Sequence, residues 1–177
     1  FAAHKKKEMK NLLYQSYRFV LLLGLPLCFG LIGISYNFVP WFYGEGYDSV
    51  TYLLILLSFL IPIIGLSNVT GIQYLITTRR ERIVSITVTI GAFCNFILNL
   101  IFIPKLYSFG AALSSVFAEL IITGLQMFYV RKEISSIKVF TSSWKYLMAS
   151  MLMLAVLLFG HTVNGAKRWI NIAGIQF

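Results

Sequence analysis

One acidic residue, Glu119, lies near the middle of a long apolar run, and three polar residues share its side of the predicted helix. Ser115, Glu119, Thr123 and Gln126 recur every three or four residues, so they form one stripe along a helical face. A carboxylate at the centre of a bilayer costs about 2.5–3.5 kcal/mol. Two interpretations stay open: Glu119 lines a cavity or carries a proton, or it is protonated and hydrogen-bonded to a neighbouring helix.

The preceding apolar run carries a second polar stripe. Gly91, Asn95 and Asn99 are spaced by four residues and therefore lie on one helical face. Asparagine in a membrane helix often hydrogen-bonds across to a neighbouring helix. The stripe is thus predicted either to hold helices together or to line a cavity. The short Pro104–Lys105 segment between the two runs predicts a tight turn, which makes them an antiparallel pair.

A third feature is a polar interruption in an earlier apolar run. Asn68 and Gln73 lie there beside Gly71, and Pro62 precedes them, so a continuous straight helix is not expected. Irregular backbone at membrane depth is tolerated where it is buried in protein or lines water. Asn68 and Gln73 are therefore further candidates for a substrate cavity.

The sequence shows no pattern for a catalytic, cofactor or metal site. Cys28 and Cys94 lie inside apolar runs without metal-ligand spacing, and His161 stands alone near the end of an apolar run. There is no glycine-rich phosphate loop and no motif for nucleic acid. We therefore predict a protein that is not an enzyme, holds no cofactor or metal, and does not bind nucleic acid.

Composition indicates that lipid surrounds most of the chain. Of its 177 residues, 58% are hydrophobic and 12% are charged, whereas soluble domains average about 25% charged residues. Five runs are long enough, at about 1.5 Å per helical residue, to cross a hydrocarbon core of about 30 Å. The sequence predicts a single all-α membrane domain covering 1–177, with spans at about 19–39, 50–78, 83–103, 106–130 and 144–163.

The basic residues predict the orientation of this domain. With five spans, twelve Lys and Arg residues fall on the side of the N-terminus and three on the other side. The positive-inside rule then places the N-terminus and the loops near 79–82 and 131–145 in the cytoplasm. The acidic loop with Glu45 and Asp48 is predicted to face outside, in a multi-pass protein of the plasma membrane.

Three segments together resemble a known family. Residues 95–112, continuing to Glu119, are similar to the C-terminal half of bacterial polysaccharide flippases, which belong to the multidrug and oligosaccharide exporter superfamily. Residues 42–47 and 67–75 look like the same family. The chain departs from the family pattern at Tyr107, where many members have glycine, and at Thr77, where many have proline.

The resemblance implies most of the second six-helix bundle of a larger transporter, an expectation that the odd number of spans and the initial Phe1 also favour. Such a transporter flips undecaprenyl-diphosphate-linked oligosaccharide repeat units by alternating access, for capsule, O-antigen or exopolysaccharide, beside the polymerase machinery. Glu119 is then a candidate for ion coupling or helix contact. The alternatives are a cation-coupled drug exporter of the same superfamily and a membrane enzyme of polysaccharide biosynthesis.

Overall fold

The computed structural model describes the backbone of residues 2–44, 46–134 and 136–172. Throughout these ranges the chain is helical apart from short turns, and the ranges contain no β-strand. The prediction of an all-α fold is therefore confirmed. In chain order the elements are α1 (Ala2–Tyr43), α2 (Asp48–Ser58), α3 (Leu60–Asn68), a π-helix (Val69–Ile76), α4 (Glu81–Val130) and α5 (Ser136–Ile172).

Helix α1 contains the first predicted span and continues through both of its prolines, Pro26 and Pro40. It ends at Tyr43, and the next residue, Gly44, has a φ of +85° and donates its N–H to the Pro40 carbonyl at 3.1 Å. Glycine takes this left-handed conformation without a steric penalty, so it commonly ends helices. Gly46 has a φ of +92°, and α2 begins two residues later, at Asp48.

The second predicted span, 50–78, consists of three pieces. Phe59 separates α2 from α3, and α3 passes into the π-helix. Pro62 has no N–H to bond the carbonyl four residues earlier, which weakens the helical ladder near this junction. At the start of the π-helix, Thr70 donates to the Leu66 carbonyl at 2.8 Å, a bond that often bends helices. The predicted interruption of this span is confirmed.

The third and fourth predicted spans are the two arms of α4, residues 81–106 and 108–130, and the chain reverses between them. Tyr107 has a φ of 50° and a ψ of −129°, outside the helical region, whereas Pro104 stays inside the helix. The tight turn predicted at Pro104–Lys105 is therefore misplaced. Proline fixes φ near −65°, which is a helical value, so the reversal occurs at a later residue that leaves this region.

Helix α1 lies between α5 and the second span. It runs antiparallel to the second span and parallel to α5, and glycines allow close approach on both sides. The contacting pairs are Val20–Gly65 and Gly24–Pro62 on one side, and Gly30–Met153 and Gly33–Leu157 on the other. Small residues at these positions let the helix backbones come together, as is common in membrane helix packing.

The arms of α4 complete the bundle on the other side of the second span. The second arm runs parallel to the second span, and the first arm packs antiparallel against the second arm. The pairs that show this are Ile63–Thr123 and Ser67–Gln126 for the former, and Thr87–Gln126 and Gly91–Ile122 for the latter. Successive spans therefore alternate in direction, as they must in a chain that crosses a membrane repeatedly.

Three helical segments are long and apolar enough to cross a membrane: Glu8–Tyr43, Asp48–Ile76 and Glu81–Val130. Because the last one doubles back, it supplies two spans. A shorter apolar segment, Ser143–Phe159, lies in α5, so a polytopic bundle of about five spans is confirmed. Helix α5 continues beyond the predicted span to Ile172. Residues 173–177 lie outside the described part of the chain.

Large apolar side chains cover much of the outer surface. Several of them are more than 60% exposed, namely Leu12, Phe19, Trp41, Phe42, Phe93, Phe96, Leu100, Leu152, Val156 and Phe159. Water-soluble monomers rarely expose contiguous apolar surface on this scale. These side chains fit contact with lipid, and the exposed Trp41 and Phe42 fit an aromatic belt at the membrane surface.

A buried apolar cluster joins the helices at one end of the bundle. Its members include Leu13, Tyr17, Leu75, Val130 and Val139. The basic segments around Arg18, Arg79–Arg82 and Arg131–Lys132 directly adjoin these positions in the sequence. The segments predicted to be cytoplasmic therefore meet at one end, which is called the basic end below. The opposite end carries the α1–α2 turn and the reversal at Tyr107.

Candidate functional site

A groove of about 300 Å³ lies between the second span and the two arms of α4. Its polar side chains are Asn95 from the first arm and Ser115 and Glu119 from the second arm. Apolar and small residues form the rest of the wall: Leu60, Ile64, Val88, Gly91, Ala92, Ala118 and Ile122. The two stripes that the sequence predicted thus meet in one groove, which is called the Glu119 groove below.

Close packing of the two α4 arms forms the Glu119 groove. Gly91 sits against Ile122 so closely that a Cβ at position 91 would clash with the isoleucine side chain. On the second arm, the Ser115 hydroxyl donates to the Ala111 carbonyl at 3.0 Å, so this serine bonds its own helix. The small residue at 91 therefore brings Asn95 to the same groove as Glu119.

Glu119 is half-buried in this groove. Among the residues that the structure describes, its carboxylate has no hydrogen bond and no ion pair. The interpretation of Glu119 as a group hydrogen-bonded to a neighbouring helix therefore finds no partner in this part of the chain. A polar group at this depth without a protein partner is available to a group that enters the groove.

Thr123 and Gln126, on the same stripe, are buried between helices. Thr123 donates its hydroxyl to the Ile63 carbonyl at 3.3 Å. Gln126 accepts a hydrogen bond from Ser67 at 3.1 Å and donates one to the Thr87 hydroxyl at 3.4 Å. These two side chains connect the second span with both arms of α4, so the structure places them in helix contacts beyond the groove.

The other predicted candidates lie apart from Glu119. Asn99 donates to the Asn95 side-chain oxygen at 3.3 Å and helps to orient it, while its own side-chain oxygen is buried with no partner among the described residues. Asn68 is exposed. Gln73 is exposed too, and it lines a separate groove of about 290 Å³ between α1 and the π-helix.

A polar network at the basic end is the feature that sequence reasoning missed. Glu133 accepts hydrogen bonds from Tyr74 and from Arg80, the latter at 2.8 Å. This hydrogen bond and the negative charge of Glu133 raise the pKa of Arg80. Nearby, the hydroxyls of Tyr17 and Thr70 hydrogen-bond at 2.8 Å. The only signal in the sequence was a single acidic residue, Glu133, within a basic loop.

The described residues contain no group of three or more His, Cys, Asp or Glu side chains that could hold a metal ion. Cys28 and Cys94 are free thiols. The side chain of His161 lies outside the described ones. Comparisons of the chain with protein-family models, with curated proteins and with solved structures gave no match.

Proposed function

We propose that this chain belongs to a flippase of the plasma membrane, which moves lipid-linked oligosaccharide repeat units to the outer leaflet. The observation that supports the proposal most is the Glu119 groove, because it places Asn95, Ser115 and Glu119 together between three membrane helices. Polar groups in such a place usually serve a substrate or ion pathway. The family resemblance of residues 95–112 supplies the class of substrate.

The size of the Glu119 groove limits its role. At about 300 Å³ it cannot enclose an oligosaccharide, so we assign it to the wall of a larger cavity completed by a second bundle. Its polar side chains would offer hydrogen bonds to sugar hydroxyls that must leave water during the crossing, since unpaired polar groups are costly in hydrocarbon. The carrier lipid would remain outside, along the apolar surface.

The second span offers the hinges that alternating access needs. It is broken at Phe59 and again at the π-helix Val69–Ile76, and discontinuous helices near the membrane midplane are typical of secondary transporters. Its α3 piece contributes Leu60 and Ile64 to the Glu119 groove. A change of angle at Phe59 would therefore change the width of the groove, which links hinge motion to the candidate site.

The proposal is tested by deleting the gene in a strain that makes a surface polysaccharide. We expect the surface polymer to be lost and undecaprenyl-diphosphate-linked repeat units to accumulate on the cytoplasmic side, with recovery on complementation. Continued surface polymer without accumulation would refute the proposal. Loss of drug efflux alone would indicate the drug exporter instead, and accumulation of unprocessed repeat units on the outer side would indicate an enzyme.

Complementation with E119Q tests the role of the groove. Glutamine keeps the shape and one hydrogen-bonding oxygen but removes the carboxylate, whose hydrogen bonds are about 1 kcal/mol stronger than neutral ones, so we expect about a fivefold loss of export. E81Q is the matched control, because Glu81 is exposed at the basic end and should support normal export. Equal export by both variants, at equal expression, would exclude Glu119 from transport.

A further inference from the structure

Another polar groove, called the outer groove below, lies at the end of the bundle opposite the basic end. It has a volume of about 190 Å³ and is lined by Tyr36 and Pro40 of α1 and by Asp48, Thr51 and Tyr52 of α2. None of these residues belongs to the Glu119 groove or to the network around Glu133. The groove opens next to the exposed aromatic residues that end α1, at the level where an aromatic belt meets water.

Helix geometry and the α1–α2 turn form this outer groove. Asp48, Thr51 and Tyr52 are spaced by three and four residues and therefore share one face of α2. Tyr36 and Pro40 share a face of α1 for the same reason. The α1–α2 turn, with positive φ at Gly44 and Gly46, folds the two faces against each other.

The Thr51 hydroxyl is the observation that points to a ligand. Thr51 is only 5% exposed, it lines the outer groove, and it makes no hydrogen bond within the described part of the chain. Ser58, on the same helix and also buried, instead donates to the Leu54 carbonyl at 2.6 Å. Because this hydroxyl lines the groove and has no partner among the described residues, it is available to bond a group that enters the groove.

The chemistry of the lining restricts what that ligand is. Asp48 accepts strong hydrogen bonds, and Thr51 can both donate and accept. Tyr36 and Tyr52 contribute aromatic rings with a polar hydroxyl at one end. A sugar ring matches this set, because it presents several hydroxyls at its edge and C–H groups on its face. An organic cation would use Asp48 and the rings, but it would offer no acceptor to the Thr51 hydroxyl.

We infer that the outer groove binds one sugar ring through the Asp48 carboxylate and the Thr51 hydroxyl, with the ring face against tyrosine. The volume of about 190 Å³ suits a single monosaccharide unit. The inference rests on the proposed function only for the source of the sugar, which would be the exported repeat unit. In that case the site receives the substrate at the outer mouth, away from the Glu119 groove.

Saturation-transfer NMR on the purified protein in lipid nanodiscs tests the inference, since nanodiscs avoid detergents with sugar headgroups. The probes are the methyl glycosides of glucose, galactose and N-acetylglucosamine, with tetramethylammonium as the cation probe. We expect transfer to at least one glycoside and about a five- to tenfold weaker affinity in T51V, as the loss of one hydrogen bond predicts. T89V is the matched control, because Thr89 is exposed on α4, and it should bind like the parent.

D48N provides the second variant. Asparagine can still accept a hydrogen bond from a hydroxyl, so glycoside binding should weaken but persist, whereas binding of a cation should be abolished. The inference is overturned if none of the three glycosides shows saturation transfer, or if T51V binds a glycoside as tightly as the parent. It is also overturned if tetramethylammonium binds and only D48N abolishes that binding. If the protein is needed for export but binds no glycoside, this inference fails alone; if it binds glycosides but is dispensable for export, the proposed function fails alone.

Discussion

Polar side chains within the spans differ in whether they have hydrogen-bond partners in the protein. Thr123 and Gln126 have hydrogen-bond partners on neighbouring helices, whereas Glu119 has none among the described residues. A satisfied polar group in a membrane bundle contributes mainly to helix association. An unsatisfied one is more costly to keep, and it is therefore the better candidate for contact with substrate.

Replacing Gln126 with leucine should destabilise the bundle. The change removes bonds to Ser67 and Thr87, and interhelical hydrogen bonds in membrane proteins average about 0.6 kcal/mol each, with larger values up to about 1.7. We expect a loss of about 1–2 kcal/mol in the free energy of unfolding, measured by titration with denaturing detergent. Gln73→Leu is the control, because Gln73 is exposed; an equal loss in both variants would contradict the assignment of Gln126 to helix contacts.

At the scale of helices, the two arms of α4 approach each other closely at Gly91, as they do near the reversal at Gly110. Gly91→Ala should force the arms apart, because its Cβ would meet the Ile122 side chain. Overpacking of this kind costs about 1–3 kcal/mol, and we expect a lower thermal unfolding midpoint together with reduced export. Gly124→Ala is the matched control, since a Cβ there meets nothing within 4 Å. Its free energy of unfolding should stay within about 0.5 kcal/mol of that of the parent. Similar midpoints for the two variants would show that the arms tolerate separation.

The sequence predicted the helices well and their partners less well. Hydrophobic length and flanking charges define each span, so an all-helical chain with about five apolar segments needed no tertiary information. Helical spacing placed Ser115, Glu119 and Gln126 on one face, but it could not show what lies opposite at each depth. Ser115 and Glu119 face the Glu119 groove, whereas Gln126, farther along the same helical face, contacts the second span.

Two further features depended on backbone geometry that composition does not encode. The reversal of α4 was expected at Pro104, yet it occurs at Tyr107, a residue type for which a positive φ is uncommon. Within the π-helix Val69–Ile76, the Gln126 side chain of a neighbouring helix lies against Gly71. The interruption was predictable from Pro62 and Gly71, but its form required the neighbouring helix.

The whole molecule has two ends of different character. The basic end contains the buried cluster and the Glu133 network, while the opposite end has the exposed aromatic residues of α1 and the outer groove. The positive-inside rule assigns the basic end to the cytoplasm. That assignment decides whether the outer groove faces the side on which an exported sugar is released.

Labelling of single cysteines in intact cells tests this orientation. Cys28 and Cys94 are first replaced by alanine, and then Ser49→Cys, Thr78→Cys or Lys132→Cys is introduced. A membrane-impermeant maleimide added outside should label position 49, because it lies at the end that we place outside. Positions 78 and 132 lie at the basic end and should be labelled only after the cells are permeabilised. Labelling of 78 and 132 in intact cells, with 49 protected, would reverse the orientation and place the outer groove in the cytoplasm.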